Sequence, residues 1–90
     1  MGQKELISQI YKILLLYEDA VESKSNVTED DYIRYLDRIY VGWVGIGNRE
    51  VCYILKGLKS LSLEAPHTTV KAMVFHIIGL IERGGIAYGI

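Results

Sequence analysis

The sequence predicts an all-α fold: one compact antiparallel four-helix bundle spanning residues 1–90, with helices near 4–22, 29–45, 48–61 and 68–83 and a short apolar C-terminal tail. Three observations predict it. Apolar residues recur at spacings of three and four in four separate stretches, the period of one helix face. Helix breakers gather between those stretches: the polar run Glu22–Asn26, glycines 42, 45 and 47, the segment 62–67 with the single proline Pro66, and glycines 84, 85 and 89. Half of the 90 residues are apolar and 23% are charged, the balance of a globular chain.

The first helix carries Leu6, Ile10, Ile13, Tyr17 and Ala20 on one row and Ile7, Leu14 and Val21 on the next, with Leu15 and Leu16 widening the stripe. A stripe this wide implies contact with two other helices. The second opens on Thr28-Glu29-Asp30-Asp31. The threonine hydroxyl is placed to accept from the amide three residues on, and Asp31 takes the place of the usual glutamate in a capping box. Three acids in the first turn also suit the positive end of the helix dipole. Its expected apolar face is Tyr32, Ile33, Leu36, Ile39, Tyr40 and Trp43, and Gly45 and Gly47 are expected to end it.

The third helix has Asn48 as N-cap and Glu50 in its first turn, with Val51, Ile54, Leu55, Leu58 and Leu61 as its core face. The fourth is read as capped by Thr68 and stopped by Gly84, and Val70, Met73, Val74, Ile77, Ile78 and Ile81 follow the helical template. In the tail, residues 86, 88 and 90 are apolar, a period of two that suggests a short extended arm. Short connections favour antiparallel neighbours. The rival is a winged-helix-like arrangement with the fourth helix as recognition helix. The gap from Leu61 to Thr68 is too short for its extra helix and turn, and the outer face of the fourth helix is too apolar to read base edges.

Charge and composition narrow the function classes. Net charge is −1 and the pI is about 6.1, so no overall basic field exists to hold a nucleic-acid backbone. Residues 1–45 hold five basic and eight acidic groups (net −3), and residues 46–90 hold five basic and three acidic (net +2). Cys52 is alone, so no intramolecular disulfide forms, and a reducing cytoplasm is the expected compartment. Residues 1–8 lack the apolar core of a signal peptide. The longest mostly apolar stretch, Ala72–Ile81, is ten residues, against the roughly 20 that a bilayer requires.

Candidate chemistry is sparse. His67 and His76 lie nine residues apart with Cys52 remote from both, which is not a close-spaced zinc pattern. Cys52 falls beside a core face and reads as an inert small hydrophobe, since a thiol nucleophile needs a histidine within reach. The acids Glu29, Asp30 and Asp31 read as dipole partners, and Glu18, Asp19 and Glu22 as a solvated face. The glycines in Trp43–Asn48 precede a helix, but a phosphate-cradling loop must follow a strand. They read as a helix stop and restart. The expectation is therefore no catalytic residues, no metal and no cofactor.

The most informative feature is the outer side of the fourth helix. Opposite the core stripe lie Ala72, Phe75, His76 and Gly79, with Arg83 beyond, where a solvent face is normally charged. Two readings follow: this face is further core around a central helix, or it is a seam for a second copy or a partner, with Phe75 as anchor. The surplus of apolar residues in so short a chain agrees with either.

The function expected is a non-enzymatic helical module that acts by binding a protein partner or itself, of regulatory, inhibitor, antitoxin or immunity type. The alternative is a dimeric nucleic-acid-binding regulator, which needs Arg34, Arg38, Arg49, Lys56 and Lys59, with Lys71, to share a surface. An enzyme is the third possibility, with only the acids at 29–31 and a histidine as material. In helix number and length the chain is similar to immunity proteins against small bacteriocins, which are also compact helical bundles. No motif carries that likeness.

Overall fold

A computed structural model describes residues 2–83. It holds four helices, α1 (Gln3–Glu22), α2 (Glu29–Ile46), α3 (Arg49–Leu61) and α4 (His67–Glu82), with a 3-10 turn at Ser62–Glu64. The four-helix all-α architecture is the one the periodicity predicts. The expected tail 85–90 and the stop at Gly84 lie outside the described residues.

Side-chain contacts fix the antiparallel order. Tyr35 donates to the Gln9 carbonyl at 2.8 Å and Tyr17 meets the Tyr32 ring edge-on at 5.8 Å, aligning α1 with α2. Lys59 reaches Asp37 at 2.6 Å and Ser62 donates to Glu29, aligning α2 with α3. On the other side, His67 meets Glu18 and Phe75 meets Tyr11, aligning α1 with α4. α1 packs on both α2 and α4, as its wide stripe implies, and α3 touches α4 least.

The core runs the length of the bundle. Ile10, Ile13, Tyr32, Leu36, Trp43, Val51, Leu55, Leu58, Val70, Val74, Ile77 and Ile81 are all buried, and no charged side chain is buried among the described residues. Burial of this apolar surface is the main driving force, at about 25 cal/mol per Å².

The helix ends follow local chemistry, with two corrections. At the start of α2 the Thr28 hydroxyl accepts from the Asp31 amide at 3.2 Å and the Asp31 carboxylate accepts from the Thr28 amide at 3.0 Å, a complete capping box. At α3 the Asn48 side chain accepts from the Val51 amide at 2.9 Å. The expected cap at Thr68 is wrong. α4 begins at His67, and Thr68 lies inside its first turn. Pro66 holds the N-cap at φ −61° and ψ 149°, and its carbonyl accepts from the amides of Thr69 and Val70. Its ring fixes φ and it has no N–H to satisfy, so the helix starts directly behind it. Nor does Gly45 end α2. The helix runs through it to Ile46 and stops at Gly47, which sits at φ 89° with its amide on the Trp43 carbonyl. Of these two glycines only Gly47 takes the left-handed region.

The core faces also need adjustment. Tyr35, outside the expected face of α2, is buried, while Ile33 and Tyr40 are only half-buried. Leu15 and Val21 of α1 and Leu61 of α3 are exposed. Leu61 precedes Ser62, whose φ of 52° and ψ of −139° break the helix and turn the chain away. The 3-10 turn leads to Ala65, which is buried and offers its carbonyl to the Tyr17 hydroxyl.

Candidate interaction surfaces

The outer side of α4 is solvent-facing in this chain. Phe75 is 45% exposed, Ala72, His76 and Arg83 are exposed and Gly79 is half-buried. Of the two readings of this face, further core and seam, the first does not hold within the single chain. The reason is topological. α1 and α3 flank α4 on its Val70–Ile81 stripe, and no fifth helix is present among the described residues to cover the far side.

Phe75 has a neighbour that the sequence did not announce. Its ring meets Tyr11 of α1 edge-on at a centroid distance of 6.2 Å, and Tyr11 is itself 42% exposed. Leu15, one turn further along α1, is exposed too. The α1–α4 seam therefore presents a patch of two aromatics, a leucine and Ala72. The signal was available, because Ser8, Tyr11 and Leu15 form a row that the core of α1 does not use. The expected pattern missed it by counting Leu15 toward the core.

The remaining residues on this face are engaged inside the chain. The Arg83 guanidinium lies 3.2 Å from where a Cβ at Gly79 would stand. A partner reaching the Gly79 backbone must first displace it. His76 Nε2 is 3.1 Å from a Glu50 carboxylate oxygen on α3. At the other end of α4, His67 Nε2 is 2.7 Å from Glu18, and its ring stacks on Tyr17. Both histidines thus brace α4 against its neighbours. The expected readings of His67 as a helix-start polar group and of His76 as a flank residue agree with these positions.

The basic residues of the nucleic-acid alternative divide between two sides of α2. Arg34 and Arg38 share a groove with Lys12, Leu16 and Asp31, and both Arg38 and Lys12 lie over the Tyr35 ring. Arg34 is held by Asp31 at 3.3 Å. Lys56 and Lys59 line a different groove with Leu36, Asp37, Tyr40 and Leu55. Lys59 is bound to Asp37. Arg49 lies on the opening turn of α3, in an adjoining groove with Val44, Cys52 and Tyr53 that Lys56 also lines.

The Cys52 thiol is not set up as a nucleophile. Burial is the main influence on the Cys52 thiol and raises its pKa, with Lys56 opposing weakly. A nucleophilic thiol needs the opposite shift. The carboxyl of Asp31 is held below the usual range by hydrogen bonds from the Thr28 amide and hydroxyl, an effect of the cap. No three histidines, cysteines or carboxylates come together as a metal site among the described residues. No helix among them is long and apolar enough to cross a membrane. Compared with known proteins, the chain matches no family model, no curated protein sequence and no solved structure.

Proposed function

We propose that this chain is a non-enzymatic helical interaction module of the cytoplasm, with a regulatory or inhibitory role, and that it binds another protein through the α1–α4 face. The observation that carries this reading is the Tyr11–Phe75 pair: two aromatics from two helices, each more than two-fifths exposed, in edge-on contact at 6.2 Å. Aromatics carry a disproportionate share of binding energy at protein interfaces. An edge-on pair holds both rings in fixed orientation before a partner arrives, which lowers the ordering cost of binding. Leu15 and Ala72 are exposed one turn from Tyr11 and from Phe75, and the exposed polar residues His76 and Arg83 follow on α4. An apolar centre within a polar rim is the usual anatomy of such a surface.

The nucleic-acid alternative has less support. It needs one cationic surface, whereas Arg34 and Arg38 line a groove apart from those of Arg49, Lys56 and Lys59, and Arg34 and Lys59 are held by aspartates.

The test is molar mass by light scattering over a concentration series, joined to capture of partners from the source cells, for the wild type and for Phe75→Asp and Tyr11→Asp. Both substituted side chains are solvent-facing, so circular dichroism of the variants should match the wild type. The expected result is loss of self-association or of the captured partner in both variants. Folded variants that keep every association of the wild type would overturn the assignment.

A further inference from the structure

We infer a second docking surface on the opposite side of the bundle, at the α2–α3 corner, whose occupant is an acidic amphipathic helix of a partner protein. The surface is built around Tyr53, which is 80% exposed, with Val44, 52% exposed, in the same groove and Val41, 68% exposed, one turn before Val44 on α2. Single exposed apolar residues are ordinary. Here Tyr53 and Val44 adjoin, and α2 has no charged residue from Val41 to Ile46. Tyr53 stands as a ridge with a groove on each side. One groove is lined by Val44, Asn48 and Cys52, and the other by Ile54, Gly57 and Met73. The second lies between α3 and α4, the packed helix pair in slightest contact.

The charge on this face selects the occupant. Arg49 and Lys56 flank Tyr53 on α3, and both line the first groove with it. Neither pairs with a carboxylate among the described residues, where the ion pairs involve Lys24, Arg34, Lys59, His67 and His76. The nearby acids are directed elsewhere, Glu50 to His76 and Asp37 to Lys59. The face therefore presents an apolar ridge between two uncompensated cations. Seven residues of helix separate those cations, a rise of roughly 10.5 Å. A partner helix lying along α3 meets both with carboxylates two turns apart and seats apolar side chains in the grooves beside Tyr53. Two cations around an apolar ridge match a pair of carboxylates on one helix, whereas a nucleic-acid backbone or an anionic bilayer calls for a broader basic field than a chain of net charge −1 supplies.

This surface is separate from the Tyr11–Phe75 face, so its failure leaves the proposed function standing. The probe is a synthetic helical peptide with leucines at every third and fourth position and glutamates seven apart. The control is the same peptide with lysines in place of the glutamates. Titration into the isotope-labelled full chain, followed by amide shifts, should move the signals of Val41, Val44, Tyr53 and Lys56 for the acidic peptide only. Raising the salt should weaken binding. The double variant Arg49→Glu/Lys56→Glu should weaken the acidic peptide about tenfold and give the lysine peptide the advantage. Tyr53→Ser should weaken both peptides. All three side chains are exposed, and unchanged amide dispersion verifies that the variants fold. Equal binding of the two peptides, shifts centred on Phe75, or no binding would overturn the inference. So would concentration-dependent broadening at Tyr53 without peptide, which assigns the face to a second copy. Co-sedimentation with phosphatidylglycerol vesicles in the absence of peptide binding would overturn it in favour of a lipid surface.

Discussion

Two neighbouring tyrosines illustrate how burial and hydrogen bonding separate at the scale of single residues. Tyr17 and Tyr32 pack edge-on in the core, and both are nearly sealed from water. The Tyr17 hydroxyl donates to the Ala65 carbonyl, whereas the Tyr32 hydroxyl is buried with no partner. A buried unpaired hydroxyl costs about 1–3 kcal/mol, and a satisfied one contributes about 1 kcal/mol. Phenylalanine at the two positions should therefore act with opposite sign. Tyr32→Phe should raise unfolding stability by about 1 kcal/mol, and Tyr17→Phe should lower it by about the same amount, both read from urea midpoints. The Tyr32 phenol carries a pH signature as well. Burial pushes its ionisation far above the usual tyrosine range, with the Tyr17 phenol a smaller contributor in the same direction. The unfolded chain ionises near pH 10 while the native one does not, so stability is complete below that pH and falls as pH rises beyond it. Alkaline unfolding of Tyr32→Phe should be displaced to higher pH.

Caps and glycines govern the next scale, that of the helix. Gly42 and Gly45 lie within α2, and a Cβ at either would meet nothing within 4 Å. Glycine in a helix interior is less favourable than alanine by about 1 kcal/mol, so Gly45→Ala should stabilise the fold by roughly 0.5–1 kcal/mol. Gly47→Ala should destabilise it, because φ at Gly47 is 89°. A pair of thermal melts decides the sign of each. The α2 capping box supplies the acid limit. Asp31 has a lowered pKa through its bonds to Thr28, so its contribution is present above the unfolded carboxylate value of about 3.9 and is lost as pH falls through the lower native value. Asp31→Asn should flatten that part of an acid titration monitored by helicity. The capping box and the Asn48 cap were legible because both are local, acting across three residues. The start of α4 was misjudged because threonine is the better intrinsic cap. The fixed φ of Pro66 outweighed it.

At the scale of the molecule, the interior and exterior of α4 divide within three residues. Ile77 is fully buried and Phe75 is 45% exposed. Ile77→Ala should cost about 2–5 kcal/mol, a large share of the 5–15 kcal/mol typical of a whole domain. Phe75→Ala should cost about 1 kcal/mol or less while affecting association. Parallel denaturation of the two variants would separate a core position from a surface one. Electrostatics is also arranged at this scale. The antiparallel order gathers Glu18, Glu22, Glu29 and Glu64 at the end where the helices meet the 22–28 and 62–66 connections. The charge asymmetry between the halves of the sequence lies across the bundle, because residues 1–45 form α1 and nearly all of α2 while residues 46–90 hold α3 and α4.

The sequence by itself determined the helix number, most helix boundaries, two of the caps and most of the inward stripes of α3 and α4, because these depend on periodicity and on contacts within a turn. It also marked Phe75 as an apolar residue away from any core row. Tyr35 shows its limit. The set Tyr32, Tyr35, Leu36, Ile39 and Trp43 fits the helical template, yet the expected face took Ile33 and Tyr40 and left out Tyr35, whose hydroxyl finds the Gln9 carbonyl only once α1 packs on α2. Only the tertiary structure decided that the outer face of α4 is open, that Tyr11 stands against Phe75, and that Arg34 and Arg38 lie apart from Arg49, Lys56 and Lys59. Those outcomes depend on the azimuth at which one helix packs on another. That azimuth is set by the fit of all four stripes at once, which no single segment encodes.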